Sequence, residues 1–191
     1  MSAVPDFTRK AVLTGELVTL RPVTADDAPR LARLMEDPEV TRLTGSAHST
    51  AELTAPSPWP LEKLTEIYGR WATADDRIVW AVVENATGEV VGESVLNELD
   101  TGNLSCGFRI WLSGVLGRGL GTEATRLTVQ HAFDAGLHRV ELEVYDFNPR
   151  ARRVYEKVGF VHEGTRRQAL RFDDAWVDCH LMAVLSTDPR P

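Results

Sequence analysis

The chain has 191 residues, which suits a single globular domain with a sizeable core, so one domain is expected over residues 1–191. Hydrophobic residues make up 43% and charged residues 26% of the sequence, and no apolar run approaches the ~20 residues that a membrane-spanning helix needs. The formal net charge of −7 argues against a nucleic-acid partner and agrees with a cationic acceptor such as an amine.

Targeting and metal signals are weak in this sequence. Residues 1–6 lack the basic start and apolar core of a signal peptide, so a cytosolic location is predicted. Cys106 and Cys179 both fall on strand patterns, which is typical of reduced, packed thiols rather than of a disulfide or a metal pair. The histidines show neither HxxxH nor HxH spacing, and no metal is expected.

The first half of the chain predicts strands and two helices around a long loop. In chain order these are a strand at 17–20 that ends at Pro22, a helix capped by Thr24, a loop at 44–60, an amphipathic helix at 61–71, and a hairpin with strands at 80–84 and 89–96. The loop is rich in Ser, Thr, Ala and Pro, which predicts the least ordered internal segment. Long loops of this kind are often functional.

The second half alternates strands with helices. In chain order it predicts a strand at 104–112, a helix at 122–135, a strand at 140–145, a helix at 149–158, and strands at 160–165 and 176–185 around a turn at Asp173–Asp174. This order of elements predicts an α+β fold with a mixed, centrally parallel sheet flanked by helices.

Three glycines at alternate positions, Gly117, Gly119 and Gly121, join the clearest strand to the helix that follows it. Glycine allows main-chain N–H groups to approach a ligand, and the start of a helix carries unsatisfied donors and partial positive charge. A bound phosphate or pyrophosphate is therefore predicted. A Walker loop is excluded because no lysine precedes Thr122, and a dinucleotide fingerprint is weak because Thr122 replaces its third glycine. A glycine turn without a ligand is the alternative.

Two segments together resemble the signature motifs of the GNAT superfamily of acyl-CoA-dependent N-acetyltransferases. They are LGRGLGTEA at 116–124 and NPRARRVYEKVGF at 148–160, and the resemblance extends over about residues 17–185. The segments at 17–22, 37–40 and 176–178 are similar to the RimJ/RimL branch, which acetylates protein N-termini. Because the family usually has Gln or Arg where this chain has Leu116, one side-chain contact with the pyrophosphate is lost, while the backbone contacts remain.

The resemblance implies a GNAT-like sheet that splays between two strands, where the pantetheine arm of acetyl-CoA pairs with an exposed strand edge. In related enzymes the matching asparagine hydrogen-bonds this arm, so Asn148 is expected to contact it while also capping its helix; a plain N-cap is the alternative. Arginines at 118, 150, 152 and 153 either meet the nucleotide phosphates or form a solvated face. The resemblance implies these cofactor-binding residues: Ile110, Trp111, Leu112, Gly117, Arg118, Gly119, Leu120, Gly121, Thr122, Asn148 and Arg153.

Catalysis is assigned to Tyr155 and Glu143. Tyrosine at this motif position donates a proton to the departing thiolate in the family, and a phenol of pKa about 10 is protonated at pH 7. Packing on the apolar face of the helix is the alternative role for Tyr155. Some N-terminal acetyltransferases have a glutamate twelve residues before the tyrosine, where Glu143 stands, and Glu93 and Glu98 are alternative bases acting through water.

The expected reaction is direct transfer of an acetyl group from acetyl-CoA to a primary amine, preferably a protein or peptide N-terminus. The alternatives are acetylation of a small amine, such as an antibiotic, polyamine or metabolite, and a non-catalytic CoA-binding regulatory module. The acceptor side is expected at the loop 44–60 and the helix that bears Tyr68 and Trp71. A homodimer is compatible with the sequence.

Overall fold

A computed structural model of the chain describes residues 5–56 and 59–189. Residues 1–4, part of the segment in which no signal peptide is expected, and Pro58 of the predicted loop lie outside the described residues. The described helices include none that is long and apolar enough to cross a membrane. One domain over residues 1–191 stays a prediction.

The described residues contain eight strands and five α-helices. The strands are β1 (Leu13–Thr14), β2 (Val18–Pro22), β3 (Ile78–Glu84), β4 (Val90–Asp100), β5 (Ser105–Leu112), β6 (Arg139–Tyr145), β7 (Val161–Phe172) and β8 (Ala175–Leu185). The helices are α1 (Ala28–Met35), α2 (Pro38–Leu43), α3 (Leu61–Thr73), α4 (Leu120–Asp134) and α5 (Pro149–Val158), with short 3-10 helices at Ala25–Asp27 and Glu52–Thr54.

The strands form one sheet in the order β1-β2-β3-β4-β5-β6-β8-β7. Neighbouring strands are antiparallel except β5 and β6, which are parallel. Their pairing covers the first residues of each strand, Ser105–Gly107 with Arg139–Glu141. Past these residues the two strands separate, which opens a wedge in the middle of the sheet. The predicted mixed, centrally parallel and splayed sheet is confirmed.

Different helices cover the two faces of the sheet. Phe108 packs in a core cluster with Ala124 of α4 and Tyr155 of α5, whereas Trp111 packs with Leu31 of α1 and Tyr68 of α3. Successive strand residues point to opposite faces, so β5 presents its even-numbered residues to α4 and α5 and its odd-numbered residues to the opposite side. We call these sides the α4/α5 face and the α1/α3 face.

The loop predicted to be least ordered is held against the far hairpin. The backbone N–H and the hydroxyl of Thr50 donate to the Asp173 carboxylate at 2.9 and 2.6 Å, and the Asp173 N–H donates to the carbonyl of His48 at 2.8 Å. Asp173 lies in the β7–β8 turn, more than a hundred residues away in sequence. Composition could not indicate this contact, because a turn aspartate carries no mark of a distant partner.

Candidate active site

The wedge between β5 and β6 opens into a cleft of about 870 Å³, a size common for ligand sites. The cleft reaches from the glycine loop, past α5, to the part of the sheet that bears Arg139, Glu141 and Glu163. The structure brings most of the predicted site residues to it. These are Ile110, Trp111, Leu112, Gly117, Gly119, Leu120, Gly121, Thr122, Glu143, Asn148, Arg153 and Tyr155.

The N-terminus of α4 offers unused backbone donors to the cleft. Gly119 precedes the helix at φ 86°, in the left-handed region that glycine tolerates, and no side chain caps this end. Within the described residues, the N–H groups of Leu120, Gly121 and Thr122 have no hydrogen-bond acceptor. Aligned free donors at a helix N-terminus can bind an anion such as a phosphate or pyrophosphate.

The arginines near this end differ in their partners. Arg153 lines the cleft, is exposed and has no ion pair among the described residues. The Arg118 side chain instead pairs with the buried Glu84 at 2.6 Å and does not line the cleft. Its sequence position beside the glycines gave no sign of this partner, so any contribution of Arg118 to phosphate binding stays a prediction.

A contact that the sequence does not reveal holds the first turn of α4 in place. Both oxygens of Glu123, in the first turn of α4, accept backbone N–H groups of Glu16, Leu17 and Val18 at 3.0, 2.7 and 2.8 Å. The contact joins α4 to the β1–β2 turn. A first-turn acid ordinarily indicates only a favourable interaction with the helix dipole, so the sequence could not reveal this role.

Tyr155 is held by aromatic packing with its hydroxyl unused. Its ring meets Phe108 edge-on at 6.2 Å and lies 5.8 Å from Phe160, measured between ring centroids. Burial raises the pKa of Tyr155, so the phenol stays protonated at neutral pH. The hydroxyl makes no hydrogen bond with the described residues and is not sealed from the cleft. At the start of the same helix, the Asn148 side chain accepts the Ala151 N–H at 3.1 Å and also lines the cleft.

The glutamates proposed as bases have three different environments. Glu143 lines the cleft and forms an ion pair with Arg166. Glu93 is buried on the α1/α3 face and accepts the Tyr68 hydroxyl at 2.9 Å. Burial raises the pKa of Glu93, and the side chains of Trp111 and Tyr68 offset part of this shift.

Glu98 lines the cleft without an ion pair or hydrogen bond to any described residue. The β4–β5 register shifts between Asn97 and Asp100, and Glu98 takes a φ of 53° there. This bulge turns the side chain onto the α1/α3 face, because a Cβ added to Gly107 would lie 2.9 Å from the Glu98 Oε2 atom. The carboxylate therefore lies beside the last paired residues of β5 and β6.

The Cys106 thiol is buried. Burial raises the pKa of the Cys106 thiol to about 12, which leaves no reactive thiolate at neutral pH. Among the described residues there is no group of three or more His, Cys, Asp or Glu side chains that could hold a metal ion.

Comparison with known proteins identifies the family. The profile of the Acetyltransferase (GNAT) domain matches residues 18–161, from β2 to the start of β7. The chain belongs to the GNAT acetyltransferase family. The family is one of acetyltransferases, and the match leaves the acceptor of this chain to be identified.

Relatives of this GNAT chain differ in their acceptors. The probable N-acetyltransferase YjcK of Bacillus subtilis is 41% identical over 73 residues, a match that spans 38% of this chain and 40% of the relative. Spermidine N-acetyltransferase from Vibrio cholerae, solved with CoA and spermine, has a TM-score of 0.78 at 20% identity and covers 91% of this chain and 98% of its own. Ribosomal-protein-S5-alanine acetyltransferase from Vibrio fischeri has a TM-score of 0.74 at 19% identity, covering 95% and 100%. At these identities, the similarity of this chain to the two structures shows a shared fold and nothing more.

Proposed function

We propose that this GNAT chain is a cytosolic enzyme that transfers an acetyl group from acetyl-CoA directly to a primary amine, with a protein or peptide N-terminus as the acceptor, as in the RimJ/RimL branch. One observation carries the choice of acceptor. Of the glutamates that line the cleft among the described residues, Glu98 alone forms no ion pair and interacts with Arg77 only through space; Glu39, Glu141, Glu143 and Glu163 are each paired with an arginine.

A single unpaired carboxylate suits a single ammonium group. A polyamine carries several, and each needs compensation when it leaves water. The paired glutamates could compensate them only by giving up their arginines. This charge arrangement favours an N-terminal amine over spermidine-like acceptors, although the spermidine enzyme shares the fold.

The donor side of the cleft would hold acetyl-CoA through backbone groups. The free amides of Leu120, Gly121 and Thr122 would bind the pyrophosphate, with Arg153 adding positive charge nearby. Past Gly107 the edge of β5 is not paired with β6, so its backbone is available to the amide groups of pantetheine. Bound acetyl-CoA supplies the activated acyl group, and the protein supplies alignment of that group with the amine.

Two proton movements complete the transfer. Tyr155 donates its hydroxyl proton toward the sulfur that leaves, a role for which its unused hydroxyl is available. A carboxylate accepts the proton of the amine, directly or through water. Glu143 is the predicted base, but its ion pair with Arg166 occupies it, so Glu98 is the better-placed acceptor. An N-terminal amine of pKa about 7.7–8.0 needs only modest help.

An acceptor panel with saturating acetyl-CoA tests this function by the release of free thiol. We expect peptides with free N-termini to be acetylated with a higher kcat/KM than spermidine or spermine. Preference for the polyamines would refute the acceptor assignment, and no thiol release with any amine would indicate a regulatory CoA-binding module. The base is identified by comparing Glu98→Gln with Glu143→Gln across pH. Replacing the base should lower kcat/KM most at low pH, and the reduction should shrink once the amine deprotonates unaided.

A further inference from the structure

Arg109 is a cleft arginine whose donors are unused. It is exposed, lines the cleft and makes no ion pair or hydrogen bond with the described residues. The cleft arginines that are paired are Arg139 with Glu141 and Glu163, Arg150 with Glu39, and Arg166 with Glu143. A guanidinium has five N–H donors in a planar fork, which matches the two oxygens of a carboxylate.

The buried Glu93 does not satisfy these donors. Arg109 acts on Glu93 through space, lowering its pKa, but forms no hydrogen bond with it. Glu93 is instead engaged by the Tyr68 hydroxyl at 2.9 Å and lies outside the lining of the cleft. The residue of β4 that pairs directly with Arg109 of β5 is the apolar Val95.

Arg109 and Glu98 lie close together on the acceptor side. Both are on the α1/α3 face, opposite the helices that carry the free amides and Tyr155. Glu98 lies over Gly107, and Arg109 follows two residues later on the same face of β5. Residues spaced by two along a strand are roughly 7 Å apart, so a cation and an anion are presented over the length of one small molecule.

We propose that the acceptor carries a carboxylate within a few bonds of its reactive amine, and that Arg109 binds this carboxylate while Glu98 faces the amine. The inference rests on the proposed acetyl transfer and specifies its substrate class. A free amino acid supplies such a carboxylate on its α-carbon, and a peptide that begins with Asp supplies it on its side chain. A second ammonium at this place would instead meet Arg109 and be rejected.

The test uses acceptor pairs that differ in one group: alanine against alaninamide, and a peptide beginning with Asp against the same peptide beginning with Asn. We expect kcat/KM to favour the carboxylate in at least one pair by roughly 10- to 100-fold, the range of a charge-assisted hydrogen bond. A preference in the peptide pair would agree with the proposed peptide N-terminus, whereas a preference in the alanine pair would replace it with a free amino acid as the acceptor. Arg109→Gln should abolish that preference, whereas Arg126→Gln, which removes the same charge from an exposed site outside the cleft lining, should keep it.

Two outcomes would overturn the inference: equal use of the carboxylate and carboxamide acceptors, or a preference that Arg109→Gln leaves intact. If Arg109 served only to balance Glu93, the variant would slow both members of a pair equally, and the ratio would not move. Acetylation of amines without carboxylate preference would refute this inference alone, whereas no thiol release from any acceptor would refute the proposed transfer itself.

Discussion

The change Tyr155→Phe removes one hydroxyl from the cleft and leaves the ring in its aromatic packing. Since the hydroxyl has no partner among the described residues, the free energy of unfolding should change by less than ~1 kcal/mol. If the hydroxyl donates the proton to the leaving sulfur, kcat should fall by about 10²- to 10⁴-fold, which corresponds to about 2.7–5.4 kcal/mol of barrier. Tyr155→Ala is a contrasting variant, because deleting the ring between Phe108 and Phe160 should cost ~3–5 kcal/mol of stability.

The assay measures thiol release at saturating acetyl-CoA and acceptor, together with calorimetric binding of acetyl-CoA and urea unfolding. Binding by Tyr155→Phe should match the wild type, because the hydroxyl is assigned to the chemical step. Burst kinetics establish whether chemistry limits turnover. Near-normal kcat in a folded Tyr155→Phe enzyme with chemistry limiting would refute the proton-donor assignment and leave Tyr155 a packing residue.

Three further predictions concern other parts of the molecule. Gly121→Val should raise the Kd for acetyl-CoA at least ~10-fold, because the new side chain would block the approach of the pyrophosphate to the backbone amides. The fold should tolerate the change, since a Cβ at Gly121 meets its nearest side-chain atom at an ordinary 3.6 Å. Unchanged affinity by calorimetry would remove the anion-site argument. Burial raises the pKa of Asp27, but the hydrogen bonds from Arg21 and from Thr24 outweigh this effect and hold the pKa below its usual value. The free energy of unfolding of the wild type, measured in urea, should therefore fall as pH drops below about 3.9. It should fall less in Asp27→Asn. Asp173→Ala should raise the KM of the acceptor and keep the Kd of acetyl-CoA, because it releases the loop at Thr50; equal loss of both would indicate a folding role.

Local patterns predicted the elements of this fold because each depends on nearby residues. The alternation before Leu112 marked β5, and Gly159 marked the end of α5, where it takes a φ of 106°. The pattern predicts α4 from about Thr122, whereas the helix begins at Leu120, so that its first turn includes Gly121, a residue of low helix propensity. The predicted strand at 160–165 extends to Phe172, since pairing with β8 carries it past its local pattern.

The two faces of the cleft differ in how far the sequence determines them. The donor face consists of contiguous segments, a glycine loop and one helix, so a motif can encode it. The acceptor face depends on which charges neutralise one another, and those partners are remote: Glu143 with Arg166, Glu39 with Arg150. The sequence favours Glu143 over Glu98 as the base, through its spacing from Tyr155, whereas the ion pair of Glu143 and the bulge at Glu98 are visible only in the folded chain. Under the proposed function, the residues that select the acceptor would be the cleft charges that no ion pair neutralises, a property of the folded arrangement that no single stretch of sequence contains.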